Sequence, residues 1–160
     1  MSRAVSVVAA LLALVLIGAG AASAQGGRPT IEQFRFTGVD TEATDELSAF
    51  CGFEVTLNVA AHETHIFYPD GTEQDLIHYF ATYVVGGQTR LIEDDNFRIR
   101  SSSADVSVSG QDFRLIAPDG GTILKNTGNL HFEFDTQTLT FHGPHPSITE
   151  GVDICGLLTV

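Results

Sequence analysis

The chain is poor in positive charge: 8 lysines and arginines stand against 20 aspartates and glutamates, a net charge of −12 over 160 residues. That deficit argues against nucleic acid and anionic membrane surfaces as partners, because both repel a polyanion. Cysteine is scarce as well, with only Cys51 and Cys155. Neither has a second cysteine two or three residues away, which disfavours a thiolate metal site or a catalytic thiol. Helical repeats are missing beyond Cys51, where no stretch of ten or more residues spaces its apolar side chains as a helix would. There is no G-x-S-x-G elbow, no P-loop and no D-x-D-x-D-G calcium loop, so no motif announces acyl transfer, phosphate binding or an EF-hand.

The one long apolar run is N-terminal. Arg3 supplies a positive start, Val5 to Ile17 are apolar, and Ala22-Ser23-Ala24 forms an A-x-A cleavage pattern. Residues 1–24 therefore read as a secretory signal peptide, cut before Gln25. A membrane anchor is the rival reading, weakened by the small, weakly hydrophobic residues that end the run. Cleavage leaves 160 − 24 = 136 residues and removes Arg3, giving 7 − 20 = −13. That is one domain, expected to be secreted and without stable membrane insertion. Outside the cell two cysteines oxidise, and they allow only the pairing Cys51–Cys155. Closing a loop of that length stabilises the fold by roughly 4–5 kcal/mol on the chain-entropy model.

The remaining sequence alternates with a period of two. In "FEVTLNVA", Phe53, Val55, Leu57 and Val59 share one face and Glu54, Thr56 and Asn58 the other, as in a half-buried strand. Further short strands are expected at 62–68, 75–85, 89–93, 97–100 with 105–109, 113–117, 122–124, 130–135 and 139–141, with a last run at 152–160. "YPDGT" (68–72) and "APDGGT" (117–122) carry turn chemistry and read as hairpin tips, and "VVGGQT" and "VSGQDF" punctuate similarly. "SSS" at 101–103 marks a bulge or loop. Residues 25–36 read as a flexible leader, and 37–50 as the start of the main domain with a short helix capped by Asp40 or Thr41, its Leu47 and Phe50 facing the sheet. The expected fold is all-β: an antiparallel meander over 37–160 that closes into a small barrel of about eight strands, the disulfide joining the first strand to the last. A two-sheet β-sandwich is the alternative.

"FCGFEV" at 50–55, a "DG" hairpin about fifteen residues on, "GPHP" at 143–146 and "DICGLL" at 153–158 resemble a family of small exported proteins of high-GC Gram-positive bacteria. Its members pair C-x-F-x-V at the first strand with D-x-C near the C-terminus. The resemblance implies export and a lipocalin-like or allene-oxide-cyclase-like β-barrel, and it brings no activity with it.

Six histidines are the main candidates for chemistry. His62 and His65 in "HETH" point to opposite faces of a strand and cannot chelate together, and the motif is one residue short of H-E-x-x-H. His142 and His145 in "HGPHP" can converge across a turn, but two ligands are too few for zinc. In "DLIHYFATYVV" one face holds His78 and the other Tyr79 and Tyr83, and either can line a lumen. His65, His78, Tyr79 and Tyr83 are thus the candidate ligand-binding residues, with no catalytic residue, metal or cofactor assigned. "EDDN" at 93–96 reads as a solvated acidic turn, and His131, Glu133 and Asp135 as a solvent face.

These features favour a secreted binding or surface-associated module for a small apolar molecule over an enzyme. A cyclase- or isomerase-like barrel using His78 with Tyr79 or Tyr83 is a second reading, and a filled structural or interaction barrel a third.

Overall fold

A computed structural model describes residues 27–159; the signal segment and its cleavage site lie outside the described residues. The chain runs β1 (Thr30–Val39), α1 (Thr41–Cys51), β2 (Thr56–Phe67), β3 (Glu73–Val85), β4 (Gln88–Ser101), β5 (Asp105–Ile116), β6 (Thr122–Glu133), β7 (Thr138–His142), α2 (Pro146–Thr149) and α3 (Ile154–Leu158). The strands form one antiparallel meander in sequence order, with β1 and β7 at its two edges. The fold is all-β as expected, but among the described residues the sheet is open, so the expected barrel closure is not present. It is also a single sheet rather than a sandwich. Among the described residues no helix is long and apolar enough to cross a membrane.

Four sequence expectations give way to the structure. From Thr30 the supposed leader is strand β1, pairing along its whole length with β2. The short strands expected within 53–68, 89–100, 105–117 and 122–135 merge into longer ones, because the two-residue alternation continues through polar residues. "VSGQDF" is therefore no hairpin tip but an irregularity within β5, while 102–104 form the link between β4 and β5. The C-terminal run is the helix α3 rather than a strand, its start capped by Asp153, whose side chain accepts from the Gly156 N–H at 2.9 Å.

The turns follow their sequence chemistry. At Tyr68–Thr72 and Ala117–Gly121 the third turn residue is aspartate and the glycine after it has a positive φ, 83° at Gly71 and 92° at Gly120. Asp40 caps α1 by accepting from Ala43 N–H at 3.0 Å, and Gly52 ends the helix in a left-handed conformation. Leu47 packs on the sheet, whereas Phe50, expected beside it, is exposed.

Directly opposed residues in an antiparallel pair project to the same side. Val55, Leu57, Val59, Ala81, Tyr83, Leu91 and Leu115 accordingly form one buried patch, covered by Leu47 of α1 and by Ile154 and Leu158 of α3. This lies at the end of the sheet near the Gly86-Gly87 turn. Each fully buried leucine there contributes about 1.5–3 kcal/mol. Cys51 and Cys155 are joined, with Cα atoms 5.3 Å apart. The bond is the expected one in a different place: it ties helix α1 to helix α3, not the first strand to the last.

Gly110 and Gly128 face each other across β5 and β6. Their φ values are 117° and 132°, and a Cβ at Gly128 would collide with the carbonyl oxygen of His142 on β7. Gly128→Ala is expected to lower stability by about 2 kcal/mol, read as a shift of the urea midpoint at unchanged slope. An unchanged midpoint would mean that β7 yields freely.

Candidate functional site

The helix-covered face of the sheet carries two clusters of polar groups among apolar neighbours. The first lies against the helices. Cross-strand pairing sets Ala81 opposite Glu93 and Tyr79 opposite Asp95, with Tyr83 next on the same face of β3. Tyr83 Oη donates a hydrogen bond to Glu93. Asp95, only 4% exposed, accepts from the Arg114 N–H at 2.7 Å. Burial first, and then the neighbouring Glu93 carboxyl, push Asp95 up to about 9. Burial also raises Glu93, against hydrogen bonds from Tyr83 and Asp95 that favour its ionised form. Two carboxyls this close and this dry share a proton rather than both ionise. Burial and the Glu93 charge raise both Tyr79 and Tyr83, so their hydroxyls stay protonated.

Behind this pair, burial raises Asp112. His145 is buried; its Nδ1 lies 3.1 Å from the Gly143 carbonyl oxygen and its Nε2 lies 3.9 Å from Asp112. Asn126 accepts from the Ser147 N–H at 3.1 Å. These contacts hold α2 and the turn before it against β5 and β6.

The second cluster sits at the opposite end of the same face, by the Pro69–Gly71 turn. His65 pairs directly with Asp75, and Phe67 with Glu73. His65 Nδ1 is 2.8 Å from Asp75 Oδ1 and 3.6 Å from Glu73 Oε1, while Nε2 is 3.1 Å from Glu63 Oε2. Burial and Glu73 push Asp75 up to about 6, partly offset by His65. Burial draws the His65 ring down, but Asp75, Glu63 and Glu73 together outweigh it and hold it above its usual 6.5. Beside this cluster runs a groove of about 270 Å³ lined by Phe34, Arg35, Phe36, Ala61 and Glu63.

Of the candidate residues, Tyr79, Tyr83 and His65 share this face. His78 does not: it lies on the other side of the sheet, opposite His62. Its side chain is 59% exposed, 3.5 Å from Asp94. His62 and His65 occupy opposite faces, as strand geometry requires. His142 is exposed at the end of β7 while His145 is buried against Asp112. His131 sits among the exposed carboxylates of Asp105 and Glu133.

The reading of 93–96 as a solvated turn is overturned. These residues are the middle of β4, and Glu93 and Asp95 take core-facing positions between Leu91 and Phe97. The sequence pattern does not single out Glu73 and Asp75 either. Compared with protein-family models, with curated proteins and with solved structures, the chain matches none.

Proposed function

We propose that the chain is a secreted binding module that holds a small, largely apolar molecule bearing an oxygen acceptor against the helix-covered face of its sheet. The observation behind this reading is the composition of one row across that face. Phe36, Ala61, Tyr79 and Asp95 stand side by side on β1 to β4. Phe36 and its neighbour Phe34 leave 47% and 53% of their surface exposed, while burial and the Glu93 charge keep the Tyr79 hydroxyl protonated. An apolar wall with a few placed polar groups is the usual form of a small-molecule site. Half-exposed aromatic side chains also fit poorly with a completely filled structural module.

A proton-transfer enzyme of isomerase type is the second reading, favoured by the proton shared between Glu93 and Asp95 beside Tyr83. His78 has no part in it, being on the other face.

Purification from culture medium followed by native mass spectrometry is expected to show a co-eluting small molecule, and lipids or terpenoids to raise Tm. Phe36→Ala is expected to weaken such binding at least tenfold. A chain that carries nothing and responds to no lipid or terpenoid ends the binding-module reading.

A further inference from the structure

We propose that His65, Glu73 and Asp75 form a binding site for a divalent transition-metal ion, zinc in the first place, with Glu63 orienting the histidine. The β2–β3 hairpin builds it. Because the turn at Tyr68–Thr72 sets His65 opposite Asp75 and Phe67 opposite Glu73, an imidazole and two carboxylates meet on one face. One ligand atom from each lies within 4.8 Å of the other two.

Two observations point to a cation rather than to a simple ion-pair network. The first is Asp75, which is 8% exposed. Its Oδ1 is buried without a hydrogen-bond partner, although His65 Nδ1 is only 2.8 Å away. That oxygen meets the ring in an ion-pair contact and has no other polar neighbour among the described residues to satisfy it, so it is open to a cation. The second is the far side of the ring, where Nε2 meets Glu63 Oε2 in hydrogen-bond geometry at 3.1 Å. A carboxylate accepting from one ring nitrogen leaves the lone pair of the other free for a metal, the arrangement metal-binding histidines normally have.

The ring is held on both sides. Phe34 contacts it edge to face at 5.1 Å between centroids, and Phe67 stacks on it at 6.3 Å. Entry comes from the groove along Phe34, Phe36 and Glu63, and Glu73 is half-buried, which leaves room for water as a further ligand. One imidazole nitrogen with two carboxylates suits zinc, which takes three protein ligands and an open position, whereas calcium takes six to eight oxygens. This inference does not depend on the small-molecule reading.

Isothermal titration of the purified, chelator-treated chain with Zn²⁺ tests it, with Ca²⁺ in parallel. One Zn²⁺ per chain is expected. His65→Ala should abolish binding and Asp75→Asn should weaken it at least tenfold. Glu63→Gln, which touches no metal, should weaken it about 10–100-fold. Asp94→Asn, on the opposite face, should leave it unchanged. Melting curves of the metal-free variants separate loss of ligands from loss of fold, and the near-isosteric Asp75→Asn is expected to melt as the parent does. Absence of saturable Zn²⁺ binding, affinity untouched by His65→Ala and Asp75→Asn, or Ca²⁺ bound as tightly as Zn²⁺ would each overturn the proposal.

Discussion

Replacing Cys51 and Cys155 together by alanine is expected to lower the free energy of unfolding by about 4 kcal/mol, and Tm by roughly 15 °C. The bond spans 104 positions, so the unfolded chain gains a large loop's freedom when it is removed. The folded state has its own reason to suffer. Helix α3 is a single short turn of five residues, too short to hold itself together, and it brings Ile154 and Leu158 over the buried patch around Leu91 and Leu115. Denaturant unfolding of the double variant and of the reduced parent measures the effect. Equal midpoints for oxidised and reduced protein would show that apolar packing alone holds α3.

Asp95→Asn is expected to have the opposite sign, raising stability at pH 8 by several kcal/mol. Burial and the adjacent Glu93 hold the folded-state Asp95 at about 9, far above its ordinary 3.8. A raised acid binds its proton in the folded state after the unfolded chain has released it, so the contribution is complete below about pH 4 and fades as pH climbs towards 9. Asparagine needs no proton, keeps an oxygen for the Arg114 N–H, and can donate its amide to Glu93. The parent should therefore lose stability between pH 5 and pH 8 more steeply than the variant. General repulsion among surplus carboxylates slopes the same way in both proteins, so the difference between the two curves isolates the buried pair. Parallel curves, or a less stable variant at pH 8, would show that Asp95 is ionised in the folded protein.

Much of the architecture can be read without coordinates. The alternation of Phe53, Val55, Leu57 and Val59, the two P-D-G turns and the only available cysteine pairing all reappear, because each depends on local chemistry or simple counting. Closure of the sheet is another kind of property. Whether β1 meets β7 is decided by contacts between distant strands, and no local pattern reports it. β1 escapes this kind of reading although Phe34 and Phe36 alternate with Arg35, since an exposed edge strand resembles a leader in composition.

The site was half legible. The P-D-G turn at 69–71 and the strands on either side of it already imply that residues symmetric about Asp70 face each other, so His65/Asp75 and Phe67/Glu73 follow from the hairpin. Following that pairing outward would have gathered the histidine and both acids. Glu93 and Asp95 also sat in plain view, in step with Leu91, Phe97 and Ile99. Read locally they suggest a turn, because carboxylates in core positions are rare and unfavourable. The break in chemistry is not a break in structure.

Because the sheet does not close, β1 and β7 each pair on one side only. β1 offers ten residues of backbone next to the exposed side chains of Ile31, Phe34, Phe36 and Val39. Such a border is a template on which another copy can extend the sheet, and repulsion between polyanions opposes that approach. Acid strengthens the individual fold through its buried carboxyls while it removes that repulsion, so the conditions that best preserve each molecule are those that least keep the molecules apart.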